Sequence, residues 1–188
     1  SVVSKGQATV YRYNAVGNRD SVINPNGTAM GYSYDNLNRL TQMRNWRGST
    51  ILSRFTYTLN DAGIRTAVDE LDTSHVAYGY DDLYRLTSET RTGSNPYSIS
   101  YTYDDVGNRL SQVKNGATTT HSYNSRDQLE SETSSAGTVS YTYDAAGRQI
   151  TKATPAGTVS MGWIDGDRLA SVIGPGVNVQ YQYDADGR

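Results

Sequence analysis

The sequence contains no cysteine, which excludes disulfides, thiolate nucleophiles and thiolate-held metal sites. It leaves the compartment open, because exported bacterial proteins often lack cysteine too. Phenylalanine occurs once, tryptophan and histidine twice each, and apolar residues make up only 36% of 188, which argues against a thick conventional core. No apolar run reaches the length of a membrane-spanning helix, and Ser1-Val2-Val3-Ser4-Lys5 has no signal-peptide organisation. An excess of positive charge is missing as well: 17 basic against 19 acidic residues give a net charge of −2, so nucleic acid is excluded as a partner class.

What the chain has in quantity is tyrosine, 16 residues, and glycine, 18. Tyrosine keeps a hydroxyl that needs water or a partner, which suits a thin sheet better than a globule. The tyrosines are not scattered. Taking the second bulky residue of each recurring motif as an anchor gives Tyr13, Tyr34, Leu59, Tyr80, Tyr103, Tyr123, Tyr143, Trp163 and Tyr183, spaced by 21, 25, 21, 23, 20, 20, 20 and 20 residues. Fourteen of the 16 tyrosines lie at an anchor or two positions before one, so the chain is a repeat array of about nine units across 1–188.

Each unit reads as strand, turn, strand. Before the anchor, bulky residues recur at period two, as in Met30/Tyr32/Tyr34, Ile99/Tyr101/Tyr103 and Val139/Tyr141/Tyr143, with Ser, Thr or Gln between them. One face is therefore aromatic and the other wet. On this pattern Tyr141 and Tyr181 are expected to be mostly buried, and Thr142 and Gln182 exposed. After the anchor comes Asp or Asn, suited to bond a backbone N–H two residues on, and then in five units Gly17, Gly63, Gly107, Gly147 or Gly187, supplying positive φ. In the other four the following leucine comes one residue sooner, so long and short turns are expected to alternate. An Arg opens most return strands (Arg39, Arg85, Arg109, Arg148, Arg168), placed to pair with the turn Asp. The stretched links, Arg44 to Ser53 with Trp46 and Arg91 to Ser98 with Tyr97, are where such a scaffold would carry something of its own. The array starts and stops inside motifs, at Ser1 and Arg188, which predicts unpaired strand edges and either self-association through those edges or the tyrosine face, or order that depends on further repeats continuing the sheet.

The sequence nominates no catalytic, cofactor-binding or metal residue. A Ser/His/Asp set could be drawn from Ser122, His121 and Asp127, but no elbow or oxyanion hole accompanies it, and His75 and His121 read as solvated strand residues. Asp165-Gly166-Asp167 and Asp184-Ala185-Asp186-Gly187 open like calcium loops without the glutamate that completes one. The pairs Asp81-Asp82 and Asp104-Asp105 belong to the turn motif. No cofactor is expected and no enzyme. Rows of Tyr among Asn, Asp and Arg make glycan the main alternative partner, at the links with Trp46 or Tyr97 rather than on the ladder.

The strings Tyr103-Asp104-Asp105-Val106-Gly107-Asn108-Arg109-Leu110, Tyr143-Asp144-Ala145-Ala146-Gly147-Arg148 and Tyr183-Asp184-Ala185-Asp186-Gly187-Arg188 resemble the YD- or RHS-repeat family, and the resemblance runs the length of the chain. It implies an all-β fold: antiparallel hairpin repeats in a long curling sheet, part of a spiral hollow shell or tube. In that family such shells occur in bacterial polymorphic toxins, in the cocoon of insecticidal toxin complexes and in teneurin receptors. The implied function is a secreted or cell-surface scaffold enclosing or displaying a cargo such as a C-terminal toxin domain. The implied partners are neighbouring repeats of the same or an identical chain, the enclosed toxin domain, and a glycan or cell-surface receptor. The alternative is a repetitive adhesin or a tubular or filamentous extracellular structure. Departures are Leu59 for an anchor Tyr, the displaced Asp165 after Trp163, the altered order Arg126-Asp127-Gln128, and no counterpart of the self-cleaving cap.

Overall fold

A computed structural model describes residues 2–4, 7–164, 167–184 and 186. Ser1, the pair Lys5 and Gly6, the pair Asp165 and Gly166, Ala185, and the ninth motif's Gly187 and Arg188 lie outside the described residues. There is no helix among the described residues, as the absence of any helical apolar spacing predicts.

Eighteen strands follow one another: β1 (Val2–Ser4), β2 (Gln7–Tyr13), β3 (Arg19–Ile23), β4 (Thr28–Tyr34), β5 (Leu40–Arg47), β6 (Thr50–Leu59), β7 (Arg65–Glu70), β8 (His75–Tyr80), β9 (Leu86–Thr92), β10 (Tyr97–Tyr103), β11 (Arg109–Lys114), β12 (Ala117–Tyr123), β13 (Leu129–Ser134), β14 (Gly137–Tyr143), β15 (Gln149–Thr154), β16 (Gly157–Ile164), β17 (Arg168–Gly174) and β18 (Val177–Gln180). The chain divides into two compact units, 1–99 and 100–188, and the division falls within β10. In the first unit β1 to β9 form an antiparallel meander, each strand paired with the next. In the second, β11 to β18 do the same.

The hairpins that contain the anchors share one turn. The residue after the anchor donates its N–H to the carbonyl four positions on, and the residue three further along donates back to it: Asn14 N–H to Asn18 O at 2.9 Å and Gly17 N–H to Asn14 O at 3.1 Å, Asp35 N–H to Arg39 O and Asn38 N–H to Asp35 O at 3.0 Å each. The same pair of bonds recurs after Leu59, Tyr80, Tyr103, Tyr123 and Tyr143. The ladder register shifts at the anchor, so Tyr34 pairs with Leu40 just as Tyr143 pairs with Gln149, six residues on in both. This corrects the expected alternation of long and short turns: the described turns have one length. Where glycine is missing from the fourth position, Asn38, Tyr84, Asp127 and Asp167 take its left-handed φ, between 57° and 60°. A type I turn closed by a left-handed residue and a bulge demands that conformation whatever residue fills it.

The stretched link around Trp46 takes its extra length within the strands. It is not a loop: β5 and β6 simply run on, bulged between Asn45 and Trp46, to a two-residue turn at Gly48 and Ser49. The other, Gly93 to Pro96, is a true loop tied down within its unit. Arg91 makes a bidentate pair with Glu70 (2.6 and 2.8 Å) and donates to Ser94 O, while Ser94 N–H donates to the fully buried Ser74 at 3.0 Å.

Burial is sparse, as the composition requires. Among the described residues only Val22, Ala29, Ala67, Val68, Val76, Ser74 and His121 are buried. The tyrosine ladder is half-buried: Tyr141 is intermediate and Thr142 exposed, as expected, but Tyr181 is 44% exposed, which overturns its assignment to a covered position.

Candidate functional site

The repeated chemistry lies in three rows that run across the strands. The first is made by the anchors. Tyr143 donates its hydroxyl to Leu129 O at 2.9 Å, and Tyr123 to Arg109 O, Tyr183 to Leu169 O, Tyr34 to Arg19 O and Tyr80 to Arg65 O at 2.8 to 3.0 Å. In each case the acceptor stands six positions after the preceding anchor. Trp163 takes part as an equal, because its indole N–H reaches Gln149 O at 2.8 Å. That carbonyl sits where the bulge disturbs the ladder, so the bond satisfies a group that the sheet serves poorly. Leu59 has the right place and no donor.

The second row runs along the turns. Six turn residues, Asn14, Asp35, Asp81, Asp104, Asn124 and Asp144, accept two backbone N–H groups, as Asp144 does from Ala146 and Arg148 at 2.9 and 3.0 Å, and Asn60 accepts that of Ile64. Arg39, Arg85 and Arg148 add a side-chain bond to their own turn Asp at 2.7 Å, as the sequence predicts. The Arg148 side chain, and with it the backbone bonds, holds Asp144 below the ordinary carboxylate range; the Arg85 side chain does the same for Asp81, and the Arg39 backbone N–H for Asp35. The same position also reaches the next turn: Asn18 to Asn38, Arg39 to Asn60 O, Asn108 to Asp127, Gln128 to Gly147 O, and Arg148 to Asp167. Arg109 is not part of this row, because it stands one place later; Asn108 bonds Asp104 instead. Arg65 and Arg109 lie on the aromatic face, 4.0 Å from the Tyr57 ring and 5.7 Å from the Tyr101 ring.

The third row was missed by reasoning from the first strands alone. Return strands place charged residues among the tyrosines: Glu70 opposite Phe55, Glu89 opposite Tyr78, Glu132 opposite His121 and Lys152 opposite Tyr141. They are used as partners. Tyr97 donates to Glu89, and Tyr141 to Glu132 at 2.6 Å. The bond to Glu89, with some burial, pushes the Tyr97 hydroxyl up to about 12; burial first and then Glu132 do the same to Tyr141.

His121 is a correction. It takes a tyrosine's place two residues before Tyr123, and its side chain is 2% exposed, 3.5 Å from Glu132 and 3.3 Å from Arg109. His75 does face solvent, its Nδ1 within hydrogen-bond distance of Asp69 at 2.7 Å. The imagined Ser/His/Asp set is not assembled: Ser122 points to the other face, bonded to Ser131 at 2.7 Å, and Asp127 is engaged at its turn by Asn108. No group of three His, Cys, Asp or Glu among the described residues is arranged to hold a metal ion. Among the described residues no helix is long and apolar enough to cross a membrane.

A family model described as RHS Repeat matches residues 13–50 and 123–159. No curated protein matches the chain by sequence. Among solved structures, the crystal structure of TcdB2–TccC3–Cdc42 is similar over 95% of this chain, with a TM-score of 0.73 at 17% identity. That of TcdB2–TccC3 without its hypervariable C-terminal region is similar over 94%, also at 0.73, with 16% identity. The Photorhabdus luminescens Tc holotoxin pore, carrying a TccC3 substitution, is similar over 87%, at 0.53 and 16% identity. The chain spans only 11 to 12% of the length of those chains, so the likeness is one of fold. Two segments of the chain, 13–50 and 123–159, thus match the RHS repeat, and the hairpin architecture that contains them recurs along the rest of the described chain.

Proposed function

We propose that residues 1–188 are one stretch of hairpin array in an RHS-type β-shell, a secreted or cell-surface scaffold that encloses or displays a cargo such as a toxin domain. The observation that carries this reading is the anchor bond. Six hairpins fasten to the one before through the same donor and the same carbonyl position. A repeat held only by its neighbour can be added without new chemistry, so a wall of any length can be built from it. The turn row reinforces the same joint along one edge. The similar TcdB2–TccC3 assemblies, which have a hypervariable C-terminal region, support a cargo associated with the wall.

The test is made on the full-length protein that contains this array. Electron microscopy is expected to show a hollow particle, and limited proteolysis to spare a segment held within it until the particle is denatured. Open filaments of repeats with every appended domain cleaved at once would refute enclosure and favour the adhesin or tube.

A further inference from the structure

On the face turned away from the tyrosine ladder, the first unit carries a feature the scaffold does not need. Register places Arg12, Ser21, Gly31, Arg44 and Arg54 in one row across β2 to β6, and Val10, Ile23, Ala29, Trp46 and Ile51 in the row beside it. Arg44 and Arg54 are directly opposite each other. Like charges so placed are destabilising, and none of Arg12, Arg44 and Arg54 has an acidic partner among the described residues. A local choice that works against the fold is expected where function requires it.

The surroundings supply the rest of a site. The Trp46 ring comes close to Gly31: a Cβ there would stand 3.0 Å from the indole, so glycine is what makes room for the ring. The Arg44 guanidinium is 4.9 Å from the ring centre. A cavity of about 410 Å³ is bordered by Arg12, Asp20, Ser33, Gln42, Arg44 and Trp46. A second, of about 240 Å³, shares Arg44 and Trp46 and extends past Gly48 to Ile51. The two share Arg44 and Trp46, and this trough offers guanidinium groups, an aromatic ring and several small polar groups.

We propose that this trough binds an acidic saccharide chain. Guanidinium groups match carboxylate and sulfate oxygens in pairs of parallel hydrogen bonds. Asp20, Gln42 and Ser33 suit hydroxyl groups, and the indole offers a flat apolar surface to a sugar ring. Asp20 inside the same cavity disfavours a polyphosphate, and the ring and the hydroxyl-binding groups are superfluous for an acidic peptide.

Titration calorimetry on the intact 188-residue chain tests this with four probes: tetragalacturonic acid, a chondroitin sulfate tetrasaccharide, cellotetraose and tetraglutamate. At least one acidic tetrasaccharide is expected to bind, and the two acidic probes separate carboxylate from sulfate recognition. Cellotetraose and tetraglutamate are expected to bind at least about tenfold more weakly, a difference of about 1.4 kcal/mol. Arg44→Gln is expected to weaken saccharide binding about tenfold without lowering the urea midpoint, because the like-charge pair is relieved. Trp46→Phe, which keeps a ring, serves as the second variant and should weaken binding less. Failure of both acidic saccharides to bind, equal binding of tetraglutamate, or unchanged binding by a folded Arg44→Gln chain would overturn the proposal.

Discussion

Replacing Tyr143 by Phe removes one atom and one bond, the 2.9 Å hydrogen bond to Leu129 O, and leaves the ring in place. A hydrogen bond of this kind contributes about 0.5 to 1.5 kcal/mol net, and an acceptor left unsatisfied in a half-buried place costs about 1 to 3. Tyr143→Phe is therefore expected to destabilise by about 1 to 2 kcal/mol, equivalent to roughly 2 to 8 °C in Tm for a chain of this size. Thr142→Phe would test nothing useful, but Thr142→Val is a fair control, since its hydroxyl bonds only Thr151 at 2.6 Å on the exposed face. The converse change is more demanding. The register Gln42↔Thr56 sets Leu59 against Leu40 as Ser131↔Ser140 sets Tyr143 against Leu129, so Leu59→Tyr should create the missing bond and stabilise by about 0.5 to 1.5 kcal/mol. Urea unfolding at fixed pH reads both, with an unchanged m-value showing that stability and not compactness has moved. If Tyr143→Phe is neutral and Leu59→Tyr lowers the midpoint, the anchor bond is an ornament of the fold and not its joint.

Tyr84 holds φ 59° at an exposed turn, and Tyr84→Gly should raise the urea midpoint by the equivalent of about 0.5 to 1 kcal/mol because strain is relieved and little packing is lost; a lower midpoint would mean that the ring has a partner. The hydroxyls of Tyr97 and Tyr141 are raised to about 12 from the ordinary 10, so their contribution is complete below pH 10 and is lost as pH rises through 12. Stability measured across that window should fall, and Tyr141→Phe should flatten the fall. Asp35, Asp81 and Asp144 are lowered, so their contribution is present above the ordinary carboxylate range and lost as pH falls through their folded values; Asp144→Asn should reduce the acid sensitivity of stability, measured by urea midpoints on either side of that range.

Much of the hairpin was legible because its determinants are local. Asp35, Asn38 and Arg39 are close in sequence, so the turn and its Asp–Arg pair follow from chain geometry and turn chemistry. The period of two before Tyr103 or Tyr143 assigns the faces of first strands for the same reason. The alternation of turn lengths was read from where leucine falls; Tyr34 and Tyr143 nonetheless pair six residues on alike, because the backbone geometry of the bulged turn sets the length and residue type only fills it.

Whatever depends on the strand across the gap was out of reach of spacing alone. That Tyr143 meets the Leu129 carbonyl, that Glu132 lies between His121 and Tyr141, and that Arg44 faces Arg54 are properties of register between strands. His121 is buried because neighbours on both sides close over it, while Tyr181 in the last described hairpin is left 44% exposed. The sequence by itself determined the repeat, the hairpin and its aromatic face, since those need only residues within one turn of each other. The tertiary structure decided the joints between hairpins and the arginine row, since a side chain's partner there is chosen by the pairing of strands and not by distance along the chain.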